Sequence, residues 1–178
     1  MPREPIAPLC ALFLAMAAGR VAAQPQDGPI DSRLQPWFHF TVEEAAARLG
    51  DPACARILTD FRDVAGRPLA VKLEATGLDA WAYVRSVAFR VGRGVGRCQS
   101  RRILMLTTVV GRVVWVCEAQ YYRKEREEPE FAVALVIHEV LHTLGLGEDP
   151  PTSEEITARV LARCPAAAPV SRIALIPR

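Results

Sequence analysis

The chain predicts a single α+β domain, and two patterns carry that expectation. Apolar residues recur at helical spacing in short segments early and late in the chain. Between them, β-branched runs at 103–110 and 113–117 flank Gly111-Arg112 like the arms of a hairpin. The length, 178 residues of which 51% are hydrophobic, supplies one core and is short for two ordinary domains. A net charge of +2 lacks the basic excess that nonspecific nucleic-acid binding needs, so nucleic acid is not an expected partner. No repeat of fixed period is visible, which excludes solenoid and collagen-like classes.

At the N-terminus, Arg3 precedes an apolar stretch over 6–18, and Val21-Ala22-Ala23 supplies the small residues that a signal peptidase reads. Residues 1–23 are therefore expected to be a signal peptide cleaved before Gln24, giving a secreted or periplasmic protein. The stretch is shorter than the roughly 20 residues that span a bilayer, so stable membrane insertion is not expected after cleavage. Removing the segment takes Cys10 and leaves Cys54, Cys98, Cys117 and Cys164. An even set in an exported protein suggests two disulfides, with three possible connectivities. The expected pairing is Cys98 with Cys117, flanking the hairpin, and Cys54 with Cys164, tying the first helices to the last. A Cys-ligated metal is not expected, because no CxxC pair is present.

The domain is expected over 24–164. Residues 24–36, rich in proline and polar side chains, read as an extended leader, and His39 in Trp37-Phe38-His39-Phe40 as part of an aromatic cluster packing the N-terminus. Thr41 and Glu44 have capping-box spacing, predicting a helix over 41–49. Asp51 can cap a second helix, with Pro52 at its first position and Ile57, Leu58 and Phe61 on one face; Gly66-Arg67-Pro68 breaks it. Asp79 opens a further short helix containing Trp81, Tyr83 and Val84, and 87–91 alternates like a strand. Residues 92–102 form a Gly- and Arg-rich loop. Arg85, Arg90, Arg93, Arg97, Arg101 and Arg102 have no acidic residue among them; a solvated loop and strand face is the expectation, and an acidic-ligand site the alternative. Tyr121 and Tyr122 are expected to serve packing. A polar stretch over 118–130 leads into an apolar helix at 131–137, and a last helix over 153–162 packs through Ile156, Val160 and Leu161. The tail, 165–178, carries Pro165, Pro169 and Pro177 and reads as extended or disordered.

The chemistry concentrates at 138–149. His138 and His142, two of the chain's three histidines, stand four apart, which on a helix puts both imidazoles on one face, near enough to share a zinc ion. Glu139 lies about 100° round the helix, placed to take a proton from a water beside the ion without being a ligand. Zinc lowers the pKa of such a water and polarises a carbonyl, so the pattern points to hydrolysis with Glu139 as general base. Burying two imidazoles and a carboxylate together without a metal would be unfavourable. Leu144-Gly145 ends the helix at a residue able to turn left-handed, which can bring a later carboxylate under the histidines. Glu148 is the preferred third ligand, with Asp149, Glu154 and Glu155 as competitors. Pro150-Pro151 should stiffen the ligand loop.

HEVLHTLGLGE over these residues resembles the HExxHxxGxx(H/D) signature of the metzincin-type zincins, with Glu148 at the third-ligand position. The chain has a carboxylate where that pattern usually has His, and no Met follows the motif to form a Met-turn. The resemblance implies a zincin-like fold, a small mixed sheet packed on an active-site helix. It implies zinc-dependent hydrolysis of peptide bonds, with zinc on His138, His142 and Glu148. The expected partner is a peptide or protein substrate, bound as an added strand along a sheet edge near 113–118, and the expected state is a monomer. A noncatalytic module with a structural zinc, and a zinc hydrolase acting on a non-peptide bond, are the rival expectations.

Overall fold

The computed structural model describes residues 29–166. The signal peptide expected at 1–23 lies outside them, as does the tail beyond residue 166. No described helix is long and apolar enough to cross a membrane.

The fold is mixed α+β. Helix α1 spans Pro36–Gly50, α2 Pro52–Ala55, α3 Ile57–Asp60, α4 Leu69–Glu74 and α5 Ala80–Ser86. Strand β1 (Ala88–Val91), β2 (Met105–Leu106) and β3 (Val113–Val116) follow, then α6 (Glu118–Glu127), α7 (Pro129–Thr143) and α8 (Ser153–Arg163). The sheet order is β1-β3-β2, with β1 parallel to β3 and β2 antiparallel to it through Met105↔Val116 and Leu106↔Trp115. The hairpin around Gly111 therefore forms, with a short first arm. A substrate strand along 113–118 is ruled out, because β3 is the central strand and its backbone is paired on both sides. The edge is β2.

Local signals explain most boundaries. Asp51 accepts from the Ala53 N–H and Asp79 from the Ala82 N–H, both at 2.7 Å, opening α2 and α5 as caps. Gly66 (φ 80°) turns the chain between α3 and α4. Helix α1 differs from expectation. It starts at Pro36, whose fixed φ suits a first helical position, and not at Thr41. The Thr41 hydroxyl instead donates to Glu125 at 2.6 Å and Glu44 pairs with Arg48, so the capping-box spacing is used for tertiary contacts. His39 is exposed; of its aromatic neighbours only Phe38 is buried, packed edge-on against Phe89 and Tyr121. The leader is not wholly free either: Ile30 bridges to Phe89 beside β1.

Helix α7 is the axis of the domain, in contact with α1, α6, α8 and both β2 and β3. Val136, Ile137, Val140 and Leu141 are fully buried on it, each contributing about 1.5–3 kcal/mol of apolar burial. Helix α8, opened by a Thr152–Glu155 capping box, runs back antiparallel to α7. Its far end is fixed by the buried Arg48, which holds Glu130 at 2.6 Å and the Cys164 carbonyl at 3.3 Å.

Cysteines pair as expected, Cys54 with Cys164 and Cys98 with Cys117. Their sequence separations of 110 and 19 predict unequal contributions. Replacing Cys54 and Cys164 by Ser should lower unfolding free energy by about 4–5 kcal/mol, and replacing Cys98 and Cys117 by about 3 kcal/mol, on the loop-entropy scale. Urea unfolding of the two variants checks the order.

Asp31 is buried and accepts from the Arg33 N–H, from the Arg33 guanidinium at 2.7 Å and from the Val91 N–H at 3.4 Å, joining the N-terminal segment to β1. The Arg33 hydrogen bonds hold its carboxyl well below the usual range, outweighing burial. A depressed carboxyl stabilises the fold fully above its unfolded pKa, about 4, and loses that contribution as pH falls toward the folded value. Asp31→Asn should therefore flatten the acid limb of a plot of urea midpoint against pH below about 4.

Candidate metal centre

Three elements converge at the C-terminal half of α7. The helix itself carries His138, Glu139 and His142, all buried, and then stops. Gly145 adopts φ 109°, and a Cβ there would stand 3.1 Å from the Asp63 side chain, so the turn requires glycine on both counts. The turn is clamped from outside. Val64 N–H donates to the Gly145 carbonyl, Asp63 bridges to Leu146, and Val110 N–H donates to the His142 carbonyl at 3.0 Å. Asp63 is itself held by Arg67 at 2.9 Å. The reversed chain then presents Glu148 beneath the two rings.

His138 Nε2 and His142 Nε2 lie 2.9 Å apart, and Glu148 Oε1 is 3.5 and 3.3 Å from them. Four ligands about 2.0–2.1 Å from a tetrahedral zinc stand roughly 3.3 Å from one another, so this triangle has the right scale for one ion. His142 Nδ1 faces only the Leu146 carbonyl, at 2.7 Å; it must donate there, which leaves a lone pair on Nε2. His138 Nδ1 faces the Thr157 hydroxyl at 2.9 Å and can donate to it, leaving a second lone pair on its own Nε2. Two lone pairs at this distance repel unless a cation lies between them. Burial and the neighbouring His142 push His138 down to about 4, so an imidazolium on that ring is disfavoured. Without a metal, His138 must adopt the other tautomer and accept from Thr157, whose hydroxyl serves either state. The donor set fits zinc.

The competing carboxylates are elsewhere. Among the described residues, only His138, His142 and Glu148 form a group able to hold a metal ion. Asp149 is exposed with φ 84°, Glu155 is spent on the capping box, and Glu154 lines the neighbouring cleft. Thr157 is the participant that sequence reasoning missed. Its only signal is its place on the inner face of α8, one residue after the buried Ile156.

Glu139 is buried but does not point into the ligand triangle. The Thr107 N–H, just past β2, stands beside its carboxylate and favours the charged form, while buried Oε2 has no hydrogen-bond partner. Burial, reinforced by the charge on Glu148, pushes Glu139 up to about 8. Beside it opens a cleft of about 790 Å³, floored by α7 and walled by β2 and α8. Tyr121 and Tyr122 are buried in the aromatic core, as expected, and do not line the cleft. Leu161, expected to pack inward, is instead partly exposed on the cleft wall.

Comparison of the chain with known protein families, with curated proteins and with solved structures finds no match.

Thr157 orients a ligand ring, so Thr157→Val should weaken zinc affinity by about 10–100-fold while leaving one site per chain. Competition against a chromophoric chelator measures both quantities.

Proposed function

We propose that the protein is an exported zinc-dependent metallopeptidase, with zinc held by His138, His142 and Glu148 and with Glu139 as general base and later proton donor. The observation that carries this reading is Glu139: a buried carboxyl that is not a ligand, with one oxygen unpartnered, next to three convergent donors and an open cleft. A structural zinc site is closed by four protein ligands; three donors beside a cleft support a catalytic one. Two disulfides support export.

Zinc, when bound, supplies a Lewis acid and lowers the pKa of water. The chain's own residues do the rest. The Thr107 N–H beside Glu139 steadies its carboxylate, and the unpartnered Oε2 takes a proton from the attacking water. As the new C–O bond forms and the C–N bond breaks, the same oxygen returns that proton to the departing amine. A carboxyl whose proton affinity is raised by burial suits both halves of this exchange near neutral pH. The Leu146 carbonyl and the Thr157 hydroxyl keep both imidazoles from turning. Peptides or proteins outside the cytoplasm are the proposed substrates. The free edge of β2, which lines the cleft, offers backbone groups to an extended chain.

Glu139→Gln should retain stoichiometric zinc and lose peptide hydrolysis by about 100-fold or more. Metal analysis and casein cleavage on the same preparation provide the check, and undiminished turnover sinks the mechanism.

A further inference from the structure

The cleft extends well beyond the metal set, and its two ends differ in charge. Two contacts fix its direction: Val110 N–H on the His142 carbonyl and Thr107 N–H on Glu139. Moving back along the chain from Thr107 through β2 to Arg102 therefore moves toward the N-terminal half of α7, past Leu135 to Phe131. Helix α8 runs antiparallel, so Leu161 faces this same half. At the metal end stand Glu148 and Glu154; at the far end stand Arg97 and Arg102.

The six arginines flagged in the sequence do not share one fate. Arg85 pairs with Glu43, Arg93 reaches Glu118, and Arg90 donates to the Pro29 and Phe89 carbonyls. Arg101 does not line the cleft. Arg97 and Arg102 do, and neither has an acidic partner among the described residues. Their loop is built: the Cys98–Cys117 disulfide ties it to β3, and the Gln120 amide donates to the Cys98 and Ser100 carbonyls at 2.8 and 3.2 Å. Between this end and the metal set the lining is apolar, with Phe131, Leu135 and Leu161 facing Ile103 and Leu104. Two unpaired guanidiniums on a braced loop, at the end of an apolar groove, match a carboxylate carried on an extended ligand.

We propose that Arg97 and Arg102 form a recognition site for a substrate carboxylate, separated from the scissile bond by an apolar stretch. The proposal rests on the metallopeptidase reading for its substrate class. Phe131 lies about 10 Å along α7 from His138, and Arg102 at most about 17 Å of strand from Thr107. At about 3.3 Å per extended residue, the carboxylate falls three to five residues from the bond. It comes from an Asp or Glu side chain or from the C-terminus; both present the same two oxygens to the guanidiniums. The apolar stretch between favours leucine-like side chains over charged ones.

The test uses the disulfide-intact, zinc-loaded chain carrying Glu139→Gln, so that peptides bind without turnover. The probes are fluorescein-labelled octapeptides of Ala and Leu with one Glu at successive positions, their Gln counterparts, and versions with free and amidated C-termini. Fluorescence anisotropy should show about tenfold tighter binding for Glu over Gln at one spacing, weakening with salt. R97Q/R102Q should erase the preference, and R97K/R102K should keep part of it. A preference that follows the free C-terminus and vanishes on amidation names that source; one that persists on amidation names the side chain. Equal binding of Glu and Gln peptides with free and amidated termini alike, or a preference that survives R97Q/R102Q, overturns the site. Cleavage by the chain with Glu139 intact is read separately. Arginine-dependent binding with no cleavage supports the carboxylate site and removes the peptidase reading, whereas cleavage indifferent to acid removes the site and leaves the peptidase.

Discussion

Two imidazole nitrogens 2.9 Å apart in the interior of a protein set the terms for everything around them. Each ring is held through its other nitrogen, His142 Nδ1 donating to the Leu146 carbonyl and His138 Nδ1 bonded with the Thr157 hydroxyl, so neither turns freely. Burial disfavours an imidazolium on His138, since a charge there has too little solvent to support it. The two rings can share a proton between their Nε2 atoms or, together with Glu148, could hold a metal ion, and the apolar bulk of α7 keeps them in place for either. Bringing a third donor, Glu148, up to the two rings is the demand this site makes on the fold.

Meeting that demand needs a chain reversal directly after the helix, and much of the surrounding structure braces this turn. Gly145 makes the reversal, Asp63 and Val64 grip it from the α3–α4 loop, and Val110 caps the last carbonyls of α7 from the hairpin. Helix α8 delivers Thr157 to the opposite ring and is pinned at its far end by Cys54–Cys164 and by Arg48. Glu148, by contrast, stays half exposed. Glu148 therefore reaches the braced pair of imidazoles from the solvent side.

The cleft inherits its polarity from the same arrangement. Antiparallel α7 and α8 put the carboxylates of the 147–155 segment at one end, and the disulfide-bound loop before β2 puts two arginines at the other. Glu139 lines the same cleft with one buried oxygen unpartnered and the Thr107 backbone, just past the strand edge, beside it. The strand edge, Glu139 and the three donors thus meet along one wall of the cleft, and a shift of β2 would be felt at Glu139.

Local physics made α7, its two histidines and its glycine stop readable from the chain, because helical periodicity, a four-residue ligand spacing and a left-handed Gly145 depend on neighbours in sequence. The Asp51 and Asp79 caps were legible for the same reason, and the two disulfides from their flanking elements. Tertiary structure decided what depends on distant partners. Thr41 and Glu44 have the spacing of a cap, yet Glu125 and Arg48 claim their side chains. Short β2 looked like half of a long hairpin, and the central place of β3 comes from its parallel pairing with β1, which no local pattern encodes. Which carboxylate reaches the histidines, which threonine bonds His138, and which two of the six arginines line the cleft are likewise set by α8 and the 92–102 loop folding back across α7. Side chains that meet across many residues of separation leave no periodic mark in either segment.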